Sequence, residues 1–565
     1  AQVLRPVPRL DSDAVEYYSH LRSLYYDGDL DFANEFHHFG ILSRYDKVHP
    51  TATGHRRTVF SVGPALLWMP FYAVGDLVAR AGGDAERGYS PVHIRAVMLG
   101  SLAYGLLGLA LLHRLLRRRV TRAVAFWTLT LLLYATFLCW YLVVEALMSH
   151  AAAFFLAAAV VDVWWDGRES LSPGRAAALG LLIGLLAAVR WQGALFLLLM
   201  AGPLVTLARR SWGAALRAVA LVAAGFVLGA LPQLLAWKAI FGSYLLADPP
   251  QGRNFLRLTR PFLLETLFSS RHGLLFWTPV LWAGFLGYVL LLRREARTAL
   301  ALLVLLLALT YVNACSGDWW AGGSFSNRRF DTALPLLAFG LAASLQALHR
   351  AAARHPGRAL AAAGALLAAW NLLFMQQYRR GMIPRDDTVS FAAVAENNAM
   401  LVADAVGSPV AWPANWIFAL RHGVPAARHD RMVGKYLFYF MNNLGGRIDV
   451  GEPEVDQALL AEGWGARLDC AAAVCREVDG RARLFAPLDL PEALDVTVRA
   501  QGAGEVDLLV NGTPVARLPL EDHLTERTVR VPAGLWRRNL NEIVLVASPG
   551  GRALVDRLVF SRVRT

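Results

Sequence analysis

The chain has 565 residues, 56% of them hydrophobic and only 18% charged, with a mean hydropathy of +0.39 and a formal charge of +13. Soluble globular chains carry roughly 25% charged residues, so this composition excludes a wholly soluble protein. The basic excess, 56 Lys and Arg against 43 Asp and Glu, is not read as a nucleic-acid footprint. Many of the arginines sit in short loops between apolar runs, where they set membrane topology.

In chain order, residues 1–57 are polar, and no secretory signal peptide is read at their start. They hold Asp11-Ser12-Asp13-Ala14-Val15-Glu16-Tyr17-Tyr18 and then Asp27-Gly28-Asp29-Leu30-Asp31-Phe32-Ala33-Asn34-Glu35. Carboxylates beside a membrane are costly unless they are solvated, paired or used. Residues 59–79 are apolar but carry Gly63, Pro64 and Pro70, and are read as an interfacial segment. Crossings follow at roughly 92–114, 122–142, 150–166, 176–189, 192–208, 214–237, 274–292, 298–313, 331–347 and 358–377, since about 20 apolar residues span a bilayer.

The basic loops, Arg114 to Arg119, Arg168 to Arg175, Arg209-Arg210, Arg293 to Arg297 and Arg350 to Arg358, fall at every second turn. The positive-inside rule puts all of them in the cytoplasm and the alternate loops outside. Three parts result: an outer region 1–91, a transmembrane domain 92–377 of about ten helices, and an extracytoplasmic domain 378–565. The last has a mixed helical part followed by short alternating runs, LDVTVRA, EVDLLV, NEIVLV and LVDRLVF, with an Asn511-Gly512 hairpin turn. The expected fold is therefore a polytopic helical membrane protein with a C-terminal α/β region ending in a β-sandwich. Of four cysteines, Cys139 and Cys315 lie at ends of apolar segments. Cys470 and Cys475 are expected to form a disulfide if their domain lies outside the cytoplasm; a zinc site would need more ligands than that stretch offers.

The outer loops carry the chemistry. Asp13 is a candidate base, an accessible carboxylate near the membrane surface; the competing role is capping the helix that follows, for which Asp11 and Ser12 also qualify. Arg190 stands alone between two apolar runs, where an unpaired charge is costly, and is either a phosphate contact or half of a structural ion pair. Arg271 and His272 precede a helix and serve donor binding or interfacial snorkelling. Of Arg328 and Arg329, one is assigned to phosphate or sugar and the other to anchoring its loop. Tyr17, Glu35, Glu145, His150 and Glu265 are further candidates for substrate contact. Trp319 and Trp320 form either a stacking platform or an interfacial belt. No cofactor is expected. Glu35, Asp29, Glu145, His150 and Glu265 offer donors for a divalent cation, but with no diagnostic spacing.

Asp13-Ala14-Val15-Glu16-Tyr17, together with DGDLDFANEF, SVGPALLWMPFY, RHGLLFWTPVL and WWAGGSFSNRRF, resembles the GT-C glycosyltransferases, such as the protein O-mannosyltransferases and the lipid A aminoarabinose transferase, over most of residues 11–347. The resemblance implies an inverting transfer of a hexosyl or pentosyl unit from a polyprenyl-phosphate carrier to a protein, lipid or glycan acceptor. It implies that Asp13 activates the acceptor; Asp11, which matches no motif, is the reserve candidate. It also implies a multi-pass protein of the cell (inner) membrane working on its periplasmic or extracellular side, and a transmembrane helix before the Asp motif, where this sequence shows AQVLRPVPRL. The C-terminal strands resemble carbohydrate-binding jelly rolls. The readings in other classes are a lipid-linked sugar transporter or flippase, which would show internal repeats, and a non-catalytic glycan-recognising membrane subunit.

Overall fold

Long apolar runs satisfy their own backbone as helices, the only open-ended way for a chain to cross hydrocarbon. The computed structural model describes residues 10, 12–42, 49–84, 86–246, 251–252, 255–352, 354–407, 409–433, 437, 439–442, 445–451, 459–470 and 473–563; Asp11 lies outside them. The chain divides into two units, 1–395 and 396–565.

In the first unit, six described helices are long and apolar enough to cross a bilayer: Pro91–Arg117, Trp191–Ala208, Trp212–Phe241, Leu281–Ala314, Arg328–Ala351 and Pro356–Arg380. Arg122–Tyr134 and Pro173–Val189 are apolar but shorter, and His150–Gly167 adds an apolar helix that is buried along most of its length. The unit is thus a polytopic helical membrane domain. The most apolar part of Arg328–Ala351 is 72% buried, against 28–44% for the other five, so this helix is the central one. After a short helix Leu274–Trp277, the expected crossings 274–292 and 298–313 correspond to the two helices that make up Leu281–Ala314, joined across a kink at Glu295, where φ is −144° and ψ 56°. Arg119 pairs with Glu295 at that break.

Glycine seams hold the helices close. Gly180 and Gly184 face Gly225 and Gly229, and a Cβ at any of the four would collide with a carbonyl oxygen of the opposing helix. This is the small-xxx-small packing that lets membrane helices touch through their backbones.

The N-terminal region packs on the helix Gly63–Ala81, whose Trp68 and Tyr72 join Val15, Tyr18 and Leu21 in a fully buried cluster. That helix starts with Pro64, tolerated in a first turn where no intrahelical N–H is lost.

The second unit begins with helices, including Trp412–His422, and its described residues continue into ten antiparallel strands. These are β1 Arg447–Asp449, β2 Trp464–Cys470, β3 Ala473–Val478, β4 Arg481–Leu488, β5 Leu494–Ala503, β6 Glu505–Val510, β7 Thr513–Pro519, β8 Thr525–Val531, β9 Asn539–Ala547 and β10 Arg552–Arg562. One sheet runs β2-β3-β10-β5-β8 with β1 on β10, the other β4-β9-β6-β7. Their inner faces share one core, Val496 and Leu558 from the first sheet with Leu484, Val506 and Ile543 from the second, which makes a β-sandwich. Asn511 and Gly512 turn β6 into β7 with φ of 51° and 85°, the left-handed pair a tight hairpin requires. Cys470 and Cys475 are bonded across β2 and β3.

Candidate functional site

The site lies where the first turn of one helix meets three local irregularities of the first unit. The helix Ser12–Arg22 carries Asp13 in its first turn. A π-helical turn, Trp140–Val144, leads to Glu145, Met148 and His150. The helix Pro173–Val189 stops at Arg190, which is extended (φ −144°, ψ 113°) before a 3₁₀ stretch, Trp191–Met200. The loop before Arg328 holds Ala321 and Ser326 at positive φ (67° and 61°). Non-glycine residues in that conformation store strain and collect at functional sites.

These pieces enclose a cavity of about 470 Å³. Arg328 Nη2 lies 2.6 Å from Asp13 Oδ2. The Arg328 guanidinium is aimed by Nε donating to the Ala321 carbonyl at 3.1 Å. Arg190 Nε is 3.1 Å from Asp331 Oδ2, and His150 Nδ1 is 2.9 Å from the same oxygen. Arg329 donates to both the carbonyl (2.7 Å) and the carboxylate (2.6 Å) of Asp318. Three arginines thus face the cavity, each against one carboxylate. The fork geometry of a guanidinium suits two-point contact with phosphate oxygens. Tyr17, buried at the wall, accepts a hydrogen bond from Ser149 at 2.9 Å. Burial pushes its phenol up, with Arg190 pulling the other way. Phe60, Trp191, Trp237 and Phe255 supply apolar lining.

Asp13, Tyr17, His150, Arg190, Arg328 and Arg329 are therefore gathered at one cavity, and Glu145 lines an adjoining one with Asp13 and Arg328. The other named residues line neither cavity. Glu35 is fully buried with Arg22 at 2.8 Å, and burial raises its carboxyl to about 7. Glu265 is exposed on Leu263–Phe268. Arg271 lies over the Trp320 ring at 3.9 Å and pairs with Asp386 at 3.2 Å. His272 stacks on Trp277 at 4.5 Å, and burial lowers its imidazole to about 4, leaving it neutral. Trp319 packs edge-on to Trp320 and leans on Phe262.

Asp331, Trp191, Trp237 and Gln233 join the site without having been singled out as candidates. Asp331 had a signal: an acidic residue at the head of an apolar run is expensive and needs a partner. Among the described residues, no group of three or more His, Cys, Asp or Glu side chains is placed to hold a metal.

The helix His150–Gly167 sets the polarity of the domain. His150 is in the cavity. Asp166, at 1.5 Å rise per residue about 24 Å along the axis, pairs with Arg118 in a basic loop. Arg114 pairs with Asp162 near the same end. The fold and the cavity define a multi-pass membrane protein with its polar centre at the end of the bundle away from these basic loops.

No protein-family model and no curated protein matches the chain. Among solved structures it is similar to ArnT from Cupriavidus metallidurans bound to undecaprenyl phosphate, at 15% identity over 69% of this chain and 70% of that one, with a TM-score of 0.40. It is also similar to the arabinosyltransferase EmbB from Mycobacterium smegmatis, at 14% identity over 98% of this chain and 66% of that one, with a TM-score of 0.34.

Proposed function

We propose that the protein is a GT-C-type glycosyltransferase that moves a sugar from a polyprenyl-phosphate carrier to an acceptor on the extracytoplasmic face of the membrane. The observation that carries this reading is the cavity itself: Arg190, Arg328 and Arg329 converge beside Asp13 within an aromatic lining. Arginines in such a setting suit a phosphate, and the aromatic and aliphatic walls suit the first units of a prenyl chain. Asp13 supplies the base.

In the reaction, the acceptor oxygen attacks the anomeric carbon and the bond from that carbon to the phosphate oxygen breaks. The acceptor proton passes to Asp13. The phosphate leaves with one more negative charge, which Arg190 and Arg328 meet electrostatically. One displacement of this kind inverts the anomeric centre. The acceptor is a protein, lipid or glycan hydroxyl or amine, and the reading requires no metal. The placement of the basic loops at the far end of the bundle supports an outer-face site.

Mass spectrometry of envelope glycans and glycoproteins tests this in three strains: wild type, deletion, and Asp13→Asn. The same sugar should vanish in the last two, since loss of a general base costs about 10²–10⁴-fold in rate. A deletion phenotype with Asp13→Asn indistinguishable from wild type would sink the assignment and put a transport role first.

A further inference from the structure

The Asp13–Arg328 pair borders two cavities. The second, about 260 Å³, takes both residues as lining together with Glu145, Gly322, Gly323 and Arg385. It differs in chemistry from the first. Among the described residues that line it, Arg328 and Arg385 are the cations, and Asp13 and Glu145 balance them. The first cavity is lined by three arginines and two carboxylates, Asp13 and Asp318, whereas the described charges lining the second cancel, so the second is not a repeat of the anion site.

Glu145 is the informative residue. Its Oε2 is buried and accepts no hydrogen bond of good geometry among the described residues, with the Trp140 indole N–H as the donor beside the carboxylate. Buried acceptors left in that state are rare in native proteins and call for an explanation. Gly322 and Gly323 line the same cavity without side chains to fill it. Gly322 sits at φ +74°, where side chains are disfavoured, and a Cβ at Gly323 would meet nothing closer than 3.7 Å, so open space rather than crowding surrounds it. Arg385 is exposed at the rim.

We infer that this second cavity is the acceptor site and that it takes a polyhydroxylated, uncharged sugar residue, one of whose hydroxyls reaches Asp13 while a neighbouring hydroxyl donates to Glu145. A lone serine or threonine hydroxyl would engage Asp13 and leave Glu145 Oε2 unmatched. A sugar ring satisfies both carboxylates, accepts from Arg385, and lays its apolar face on side chains such as Met98, which lines the same cavity. Glu145 is thus a specificity residue for the acceptor, and Asp13 is reached by donor and acceptor from separate cavities. The inference rests on the transferase reading for its name, but not for its chemistry.

The test uses the full chain in lipid nanodiscs, with undecaprenyl phosphate as the probe of the first cavity. A set of methyl glycosides (glucoside, mannoside, galactoside and arabinofuranoside) and a Ser/Thr-containing peptide probe the second. Saturation-transfer NMR reads the soluble probes, and native mass spectrometry reads the lipid. At least one glycoside should show transfer and weaken about tenfold or more in Glu145→Gln and in Gly323→Val, while undecaprenyl phosphate affinity stays within about twofold, which also certifies that the variants fold. Absence of any glycoside signal, a signal unchanged in both variants, or binding of the peptide alone overturns the inference. If glycosides bind through Glu145 but undecaprenyl phosphate does not bind, the donor assignment falls and the sugar site stands. If the lipid binds and the glycosides do not, the reverse holds.

Discussion

Arg190 shows how one residue is held ready. It caps the end of one helix, its own N–H donating to the Leu186 carbonyl at 2.7 Å, and its guanidinium is steered by Asp331 and His150. A lysine would keep the charge but lose the fork, so Arg190→Lys should weaken undecaprenyl phosphate binding by about tenfold or more, with little change in thermal stability. Equal affinity for both forms, read by native mass spectrometry, would show that Arg190 serves only the ion pair. The residue-scale reading of the sequence worked where a charge was out of place. Asp13 in an acidic stretch and Arg190 between apolar runs both announced themselves. Asp331, at the head of an apolar run, was out of place in the same way but was masked by the aromatic, basic loop before it, and its partners His150 and Arg190 come from far along the chain. Glu35, Arg271 and His272 are out of place in the same sense. They pair instead with Arg22 and Asp386, and His272 stacks on Trp277, partners that no spacing reveals.

At the scale of elements, apolar length made the helices legible, while their breaks came from packing. The 3₁₀ stretch after Arg190 exists because Gly193 folds back onto Leu186, where a Cβ would strike both side chain and backbone. The glycine seam is equally decisive. Gly184→Leu must separate Pro173–Val189 from Trp212–Phe241 and so move Arg190, which ends the first of these helices. A lower melting temperature and a loss of undecaprenyl phosphate binding should appear together; a stable variant with full binding would refute the coupling. The acidic N-terminal region makes a different prediction. The Glu35 carboxyl lies at about 7, above its ordinary 4.5, because burial outweighs the pull of Arg22. The native state therefore holds this proton where the unfolded chain has lost it. That contribution to stability is full at and below about pH 4.5 and is lost as pH rises through about 7. Glu35→Gln should remove this downward slope from the curve of melting temperature against pH; an unchanged slope would place the titration elsewhere. Strands were legible in part. β5, β6, β9 and β10 read from their alternation, whereas β7 and β8 are edge strands with mostly part-exposed positions, the polar dress that keeps sheet edges from pairing with other chains.

On the scale of the whole molecule, the composition places a change from an apolar part to a polar one at about residue 378, and the structure divides into units 1–395 and 396–565. The second has its own core, including Ile448, Leu484, Val496 and Leu558. Residues 396–565 expressed alone under oxidising conditions should melt in one cooperative step, with Cys470 and Cys475 protected from maleimide until reductant is added. A broad transition or free thiols would show that this domain depends on the first.

The contact between Asp13 and Arg328 also bears on timing. While the guanidinium holds that carboxylate at 2.6 Å, the proton acceptor is engaged, and water or an acceptor entering alone finds a blocked base. A phosphate competes for the same guanidinium. On the transferase reading, donor arrival is then the event that unlocks the chemistry. An acceptor already seated in its own cavity would lose its proton only once the carrier is bound, and the sugar would be guarded from hydrolysis without any moving lid.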